Sequence, residues 1–361
     1  MFSVGIVGLP NVGKTTFFNA LSQATAEVSN YPFCTVEPNR KTVAVPDARL
    51  QRVAQMFGQQ EAHPTTIEFV DEPGLVKGAS HGEGLGNQFL GQIREADAVL
   101  HLVRCFPSEQ VAHVAGSPDG IRDIEIVNLE LALADITVVG KRLEKARRGS
   151  KTGDAKVLQQ VAALEEMIDR LQRGETPVEK PTPVTDDLLK ELFLLTAKPV
   201  LYVLNTSDER PDCVKCLEPV EAYLSERNLP WVEIPALAEV ELQDFSLEEA
   251  QEMRQELGMP RSALEEIIAR SYALLDLIAF FTAVGKEARA WTLKRGQTAF
   301  EAAGKIHSDM QQGFVKAEVI SYEELERAGS YQAAKDQGKM RTEGREYLVQ
   351  DGDVLLIRFT H

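Results

Sequence analysis

The chain has 361 residues, 43% hydrophobic and 26% charged, which is ordinary for a globular protein with room for two or three domains and a sizeable core. No apolar run approaches the roughly 18–20 residues needed to cross a bilayer, and four unevenly spaced cysteines make no disulfide framework, so a reducing, cytoplasmic setting is expected. A net charge of −16 argues against indiscriminate coating of nucleic acid, and neither a membrane nor DNA is expected as a partner.

The opening MFSVGIVGLP lacks a basic n-region and is broken by glycines, so it reads as a first strand rather than a signal peptide. GLPNVGKT (8–15) then matches G-x-x-x-x-G-K-[ST], between that strand and an amphipathic helix carrying Phe17, Phe18 and Leu21. Gly8 and Gly13 permit a tight turn, so that Asn11, Val12, Gly13, Lys14, Thr15 and Thr16 are expected to surround phosphate oxygens at a helix N-terminus. Lys14 supplies the point charge for the β- and γ-phosphates, and the Thr15 hydroxyl is a candidate Mg²⁺ ligand. Asn11 is a candidate for holding K⁺ near the phosphates; alternatively it only tolerates the turn.

NYPFCTVEPN (30–39) reads as a loop with Thr35 as a candidate Mg²⁺ ligand, and Cys34 beside it as either an oxidisable or an inert thiol. IEFVDEPGL (67–75) is a strand ending in Asp71-x-x-Gly74: Asp71 for the Mg²⁺ shell, the Gly74 N–H for the γ-phosphate. Leu75 stands where small GTPases usually place a glutamine, and it cannot polarise water. Another group must therefore act, or intrinsic hydrolysis is slow. FPSEQVAHVAGSPDG (106–120) reads as a flexible loop carrying His113.

Between Gly74 and Asn205 lie far more residues than a compact α/β passage needs, and the excess reads as helix. Residues 129–149 place Leu129, Leu133, Ile136, Val139 and Leu143 at helical spacing. Residues 158–174 do the same with Leu158, Val161, Leu164, Ile168 and Leu171, and an antiparallel hairpin is the simplest geometry. Its tip, 141–156, has seven basic and two acidic side chains, a net of +5. That is either a contact for RNA phosphates or an ordinary solvated face. PVLYVLNTSD (199–208) then ends a strand at Asn205, and LPWVEIPALAE (229–239) offers Leu237 and Ala238 as base contacts. Cys213-x-x-Cys216 has metal spacing but no second pair nearby, so zinc is not expected there. From residue 277 the pattern turns to short strands, with 12 basic and 12 acidic side chains.

GLPNVGKTT, NYPFCTVEPN, DEPGLVKGASHGEGLGNQFL, NTSD and AGKIHSDMQQGFVKAEV together resemble the YchF / Obg-like ATPase family, over nearly the whole chain. The resemblance implies an α/β P-loop NTPase domain (1–128 and 196–276) interrupted by a coiled-coil-like helical insertion (129–195). A small β-grasp, TGS-like domain (277–361) follows. It implies Mg²⁺-dependent ATP hydrolysis linked to the ribosome or ribosomal RNA, and it gives His113 the position of a catalytic histidine. Family members carry Asn-x-x-Glu where GTPases carry Asn-Lys-x-Asp. Here Asn205 and Thr206 fit an ATP reader, while Asp208 has the shape guanine wants. GTP binding beside ATP, an Obg-type GTPase switch, and a nucleotide-sensing scaffold with incidental hydrolysis stay open as alternatives.

Overall fold

The computed structural model describes residues 1–26, 39–71, 85–108, 110–113, 116–150, 154–207, 210–256, 259 and 261–360. In chain order the first part runs β1 (Ser3–Val7), α1 (Lys14–Ala26), β2 (Arg40–Ala44), α2 (Ala48–Phe57), β3 (Glu61–His63), β4 (Thr66–Asp71), α3 (Leu85–Glu95) and β5 (Ala98–Arg104). Three helices follow, α4 (Gly120–Gly149), α5 (Ala155–Gln172) and α6 (Pro183–Leu192), then β6 (Val200–Asn205), α7 (Arg210–Glu226), β7 (Trp231–Ile234) and α8 (Ala236–Glu241). After α9 (Leu247–Glu256) and α10 (Ala263–Leu274) come β8 (Leu277–Val284), β9 (Glu287–Lys294), α11 (Ala299–Ile306), β10 (Phe314–Ser321), β11 (Arg341–Glu343) and β12 (Asp353–Phe359).

The first sheet has the order β2-β4-β1-β5-β6-β7, parallel except for β2 at its edge. A central parallel strand is covered on both faces, so it reads as an unbroken apolar run; β5, AVLHLVR, is buried at every position. The carboxyl ends of β1, β4, β5, β6 and β7 share one rim, where ligands bind in such sheets.

The helical insertion departs from its expected limits. α4 begins at Gly120, with Asp119 capping it by accepting from the Arg122 amide, and runs unbroken into the arm. Its first half buries Ile124, Val127 and Leu131 against the α/β core, and its second half buries Val139, Leu143 and Ala146 against α5 and α6. Leu129 and Leu158, both assigned to the apolar stripe from spacing, are instead exposed. The stripe shifts because α4 serves two different partners in turn, while Leu158 falls outside the cluster that α4, α5 and α6 form. Asp135 locks the arm to the body: this fully buried carboxylate accepts from Arg94 Nη1 (2.7 Å), the amides of Leu195 and Thr196 (3.1 and 2.9 Å) and Thr196 Oγ1 (2.8 Å).

The second sheet has the order β11-β10-β12-β8-β9-β3. β8 and β9 form a hairpin, α11 follows under a Thr298/Glu301 capping box, and β12 returns parallel to β8 at the centre, which is the β-grasp arrangement. A segment counted with the first domain on sequence grounds contributes here. β3 adds itself in parallel to β9, and α2 sets Leu50, Val53, Ala54 and Met56 against Phe281, Ala283, Ala288 and Ala290. Arg49 of α2 clamps Asp47 and, across the seam, Asp351 at 2.8 Å. No helix among the described residues is long and apolar enough to cross a membrane.

Candidate functional site

Residues 8–13 turn the chain from β1 into α1. Asn11 is left-handed, with φ 63°, a region asparagine tolerates better than most residues, and its Nδ2 donates to the Ala112 carbonyl at 3.1 Å. The two motif glycines are required by close approach. A Cβ on Gly13, whose φ is 95°, would stand 2.3 Å from Asn205 Nδ2, and one on Gly8 would stand 2.6 Å from the Leu102 carbonyl oxygen. The loop is thus pressed onto the ends of β5 and β6. Lys14 Nζ donates to the carbonyls of Gly8 (3.0 Å) and Leu9 (2.7 Å), and its burial pushes the amine down to about 8, with Asp71 opposing the shift. His101, in register with Val7, is held neutral: burial, with help from the Lys14 charge, pushes it down to about 3.

Thr15 and Thr16 occupy the first turn of α1. Asp71 ends β4 opposite Ile6 of β1, near enough that its charge raises the pKa of both Lys14 and Lys41 against their burial. A hydroxyl and a carboxylate on one rim are the hard oxygen donors Mg²⁺ takes, so this part of the expected ligand set fits the ion. Thr35, Gly74 and Asp208 lie outside the described residues, as do Cys34 and Leu75.

At the carboxyl end of β6, Asn205 is buried and bridges two segments. Its Nδ2 donates to the Val12 carbonyl (2.9 Å), and its Oδ1 accepts from the Ala236 amide (3.2 Å). The phosphate loop and the segment after β7 are therefore tied through one side chain. Thr206 is also buried. Its Oγ1 donates to Glu233 Oε1 at 3.3 Å and its amide to the Ile234 carbonyl, so its side chain turns inward rather than toward the rim. Leu237 and Ala238 fall in the first turn of α8, Leu237 exposed and Ala238 buried.

The segment joining β5 to α4 carries His113, as expected, but the imidazole does not stand free. Its Nε2 lies 2.8 Å from Asp123 Oδ2, with both side chains almost wholly buried. Arg104, fully buried at the end of β5, donates from Nε to the Phe106 carbonyl (3.1 Å) and from Nη1 to Val111 (3.0 Å). Burial holds its pKa below the ordinary arginine value, and the Asp123 charge works against that. Neither Arg104 nor Asp123 was singled out from the sequence. The available signals were a charged residue closing an apolar strand and an acid in the first turn of a helix. Cys105 is a third thiol near the Cys213-x-x-Cys216 pair: the neighbouring Cys216 and burial push its thiol well up, which makes it inert.

A glycine-framed phosphate loop after β1, a carboxylate ending β4 and an asparagine at the end of β6 that ties that loop to β7 define a P-loop protein built to hold a nucleoside triphosphate. Two family models match: MMR_HSR1, described as a 50S ribosome-binding GTPase, over residues 3–139, and YchF-GTPase_C, described as a protein of unknown function, over residues 277–360. The chain is 44% identical over 362 residues to the ribosome-binding ATPase YchF of Bacillus subtilis (strain 168), covering 99% of each. It is 42% identical over 359 residues to that of Escherichia coli O157:H7, again covering 99% of each. It is also similar to the Obg-like ATPase 1 of Pongo abelii, at 39% over 366 residues, covering 99% of this chain and 92% of that one. The solved Schizosaccharomyces pombe YchF GTPase superposes with a TM-score of 0.87 at 34% identity, covering 99% of this chain and 97% of that one. The chain belongs to the YchF family.

Proposed function

We propose that this chain is a Mg²⁺-dependent ATPase with slow intrinsic hydrolysis that binds the ribosome or its RNA in a translation-linked, cytoplasmic role. The observation that carries the reading is the Asn205 bridge between Val12 and Ala236, which couples phosphate binding to base binding in a chain so similar to ribosome-binding ATPases. The proposed division of labour follows the rim. Backbone N–H groups of residues 11–16 surround the phosphates, and Lys14 neutralises them. Thr15 and Asp71, with Thr35, would hold Mg²⁺, which would screen the β- and γ-phosphate charge. Gly74 would meet the γ-phosphate. His113, paired with Asp123, is the proposed group for orienting water. Asn11 would assist K⁺.

ATP is the proposed substrate, because the inward Thr206 side chain leaves no lysine-like stem to lie over a guanine. Asp208 is the proposed source of residual GTP binding. The arm is the proposed ribosome contact. Arg142, Arg147 and Arg148 at its tip are ion-paired within the arm, whereas Lys141, Lys145 and Lys156 are exposed and form no ion pair among the described residues. Turnover of ATP and of GTP, each measured with and without ribosomes, tests the reading. ATP turnover should exceed GTP turnover and rise with ribosomes. Replacing Lys141, Lys145 and Lys156 by serine should abolish the rise and leave basal turnover intact. Equal use of both nucleotides, or indifference to ribosomes, would overturn it.

A further inference from the structure

We propose that Glu61, His63 and Glu287 form a binding site for a divalent transition metal of the zinc type, at the seam where β3 joins the second sheet. His63 Nε2 lies 3.3 Å from Glu61 Oε2 and 3.2 Å from Glu287 Oε2, and the three ligand atoms all lie within 4.8 Å of one another.

The separations leave room for one shared metal. A charge-assisted hydrogen bond between an imidazolium and a carboxylate closes to about 2.7–2.9 Å. Two ligands each about 2.0–2.1 Å from a tetrahedral zinc are instead about 3.3–3.4 Å apart. Both observed distances fall near the second range.

An independent observation points the same way. Glu61 and Glu287 are register partners in the β3/β9 pair, and His63 follows two residues on, so all three side chains leave one face of the ladder. Like charges set directly opposite across two strands destabilise a sheet, and a bound cation removes that repulsion. β3 itself is short, three residues in parallel pairing, with Gln60 and Glu61 amides donating to the Lys286 carbonyl. Arg289 stands across from His63 on the same face, its guanidinium 5.2 Å from the Trp291 ring. The donor set selects the ion. An imidazole with two carboxylates favours Zn²⁺ or Co²⁺, whereas Mg²⁺ and Ca²⁺ prefer oxygen alone. Glu61 is the most exposed of the three, so a fourth position is open to water. The metal would act as a clip between residues 61–63 and the second sheet, remote in role from the nucleotide.

The test uses the full chain, stripped with chelator and kept in excess Mg²⁺ so that the nucleotide site is occupied by its own ion. Zn²⁺ is titrated calorimetrically and Co²⁺ by its visible absorption. One ion per chain is expected, with the cobalt spectrum of a nitrogen–oxygen tetrahedral site and a rise in Tm on adding Zn²⁺. His63→Ala and Glu287→Gln should each weaken binding about tenfold or more and remove the Tm rise, while both apo variants keep the wild-type circular dichroism. The proposal is overturned if wild type binds no zinc. It is equally overturned if both variants bind as wild type does, or if cobalt shows thiolate charge-transfer bands, which would place the ion on cysteine.

Discussion

Raising the pH should weaken nucleotide binding through one buried amine. Lys14 sits among protein carbonyls, and its pKa falls from 10.5 to about 8 because burial disfavours the charged form. The shift corresponds to about 3 kcal/mol. In the free protein that stability is present above pH 10.5, is lost as the pH falls through the folded value, and is missing entirely below about 8. Phosphate oxygens supply the charge that burial withholds, so a bound nucleotide raises the pKa again. Below the folded value the amine is protonated in both states and affinity should be flat. Above it, binding must take up a proton, and affinity should fall by close to about tenfold per pH unit. Calorimetry in buffers of different ionisation enthalpy measures this directly. Proton uptake should be near zero at about pH 7 and close to one per site at about pH 9, where the nucleotide itself no longer titrates. Lys14→Met should bind weakly and show no uptake at either pH. Flat affinity across this range, with no proton uptake in wild type, would refute the assignment of the buried Lys14 charge to phosphate binding.

His113→Ala is expected to lower kcat strongly with little change in ATP affinity. Asp123→Asn should lower kcat in the same way, with Asp123→Glu restoring part of it, because a carboxylate 2.8 Å from Nε2 fixes the ring's orientation. If Asp123→Asn alters only thermal stability, with kcat and KM intact, Asp123 does not position the histidine. Asp135→Ala should cost about 3–5 kcal/mol in urea denaturation, since it strands Arg94 and leaves the donors of Leu195 and Thr196 without their acceptor. A loss below about 1 kcal/mol would mean that water replaces the carboxylate.

The elements that frame the proposed nucleotide site were legible in the sequence by itself. Gly8, Gly13, Lys14 and Thr15 lie in one contiguous turn, and the strand ends Asp71 and Asn205 follow from apolar runs that stop at a polar residue. Such features are local, so spacing carries them. Helical periodicity likewise revealed the arm but misjudged its stripe, because Leu129 and Leu158 have the right spacing and no partner to cover them. Tertiary structure decided what depends on two distant segments meeting. Asn205 reaches across 193 residues to Val12. Asp123 takes the imidazole of a loop that reads as free, and Thr206 turns inward to Glu233. Residues 61–63 leave the first domain to complete the second sheet, setting Glu61 beside Glu287. A three-residue strand has too few side chains to show a period, and its pairing partner lies more than 200 residues away. Only the folded chain, where burial and charge are settled jointly by both segments, brings those residues together.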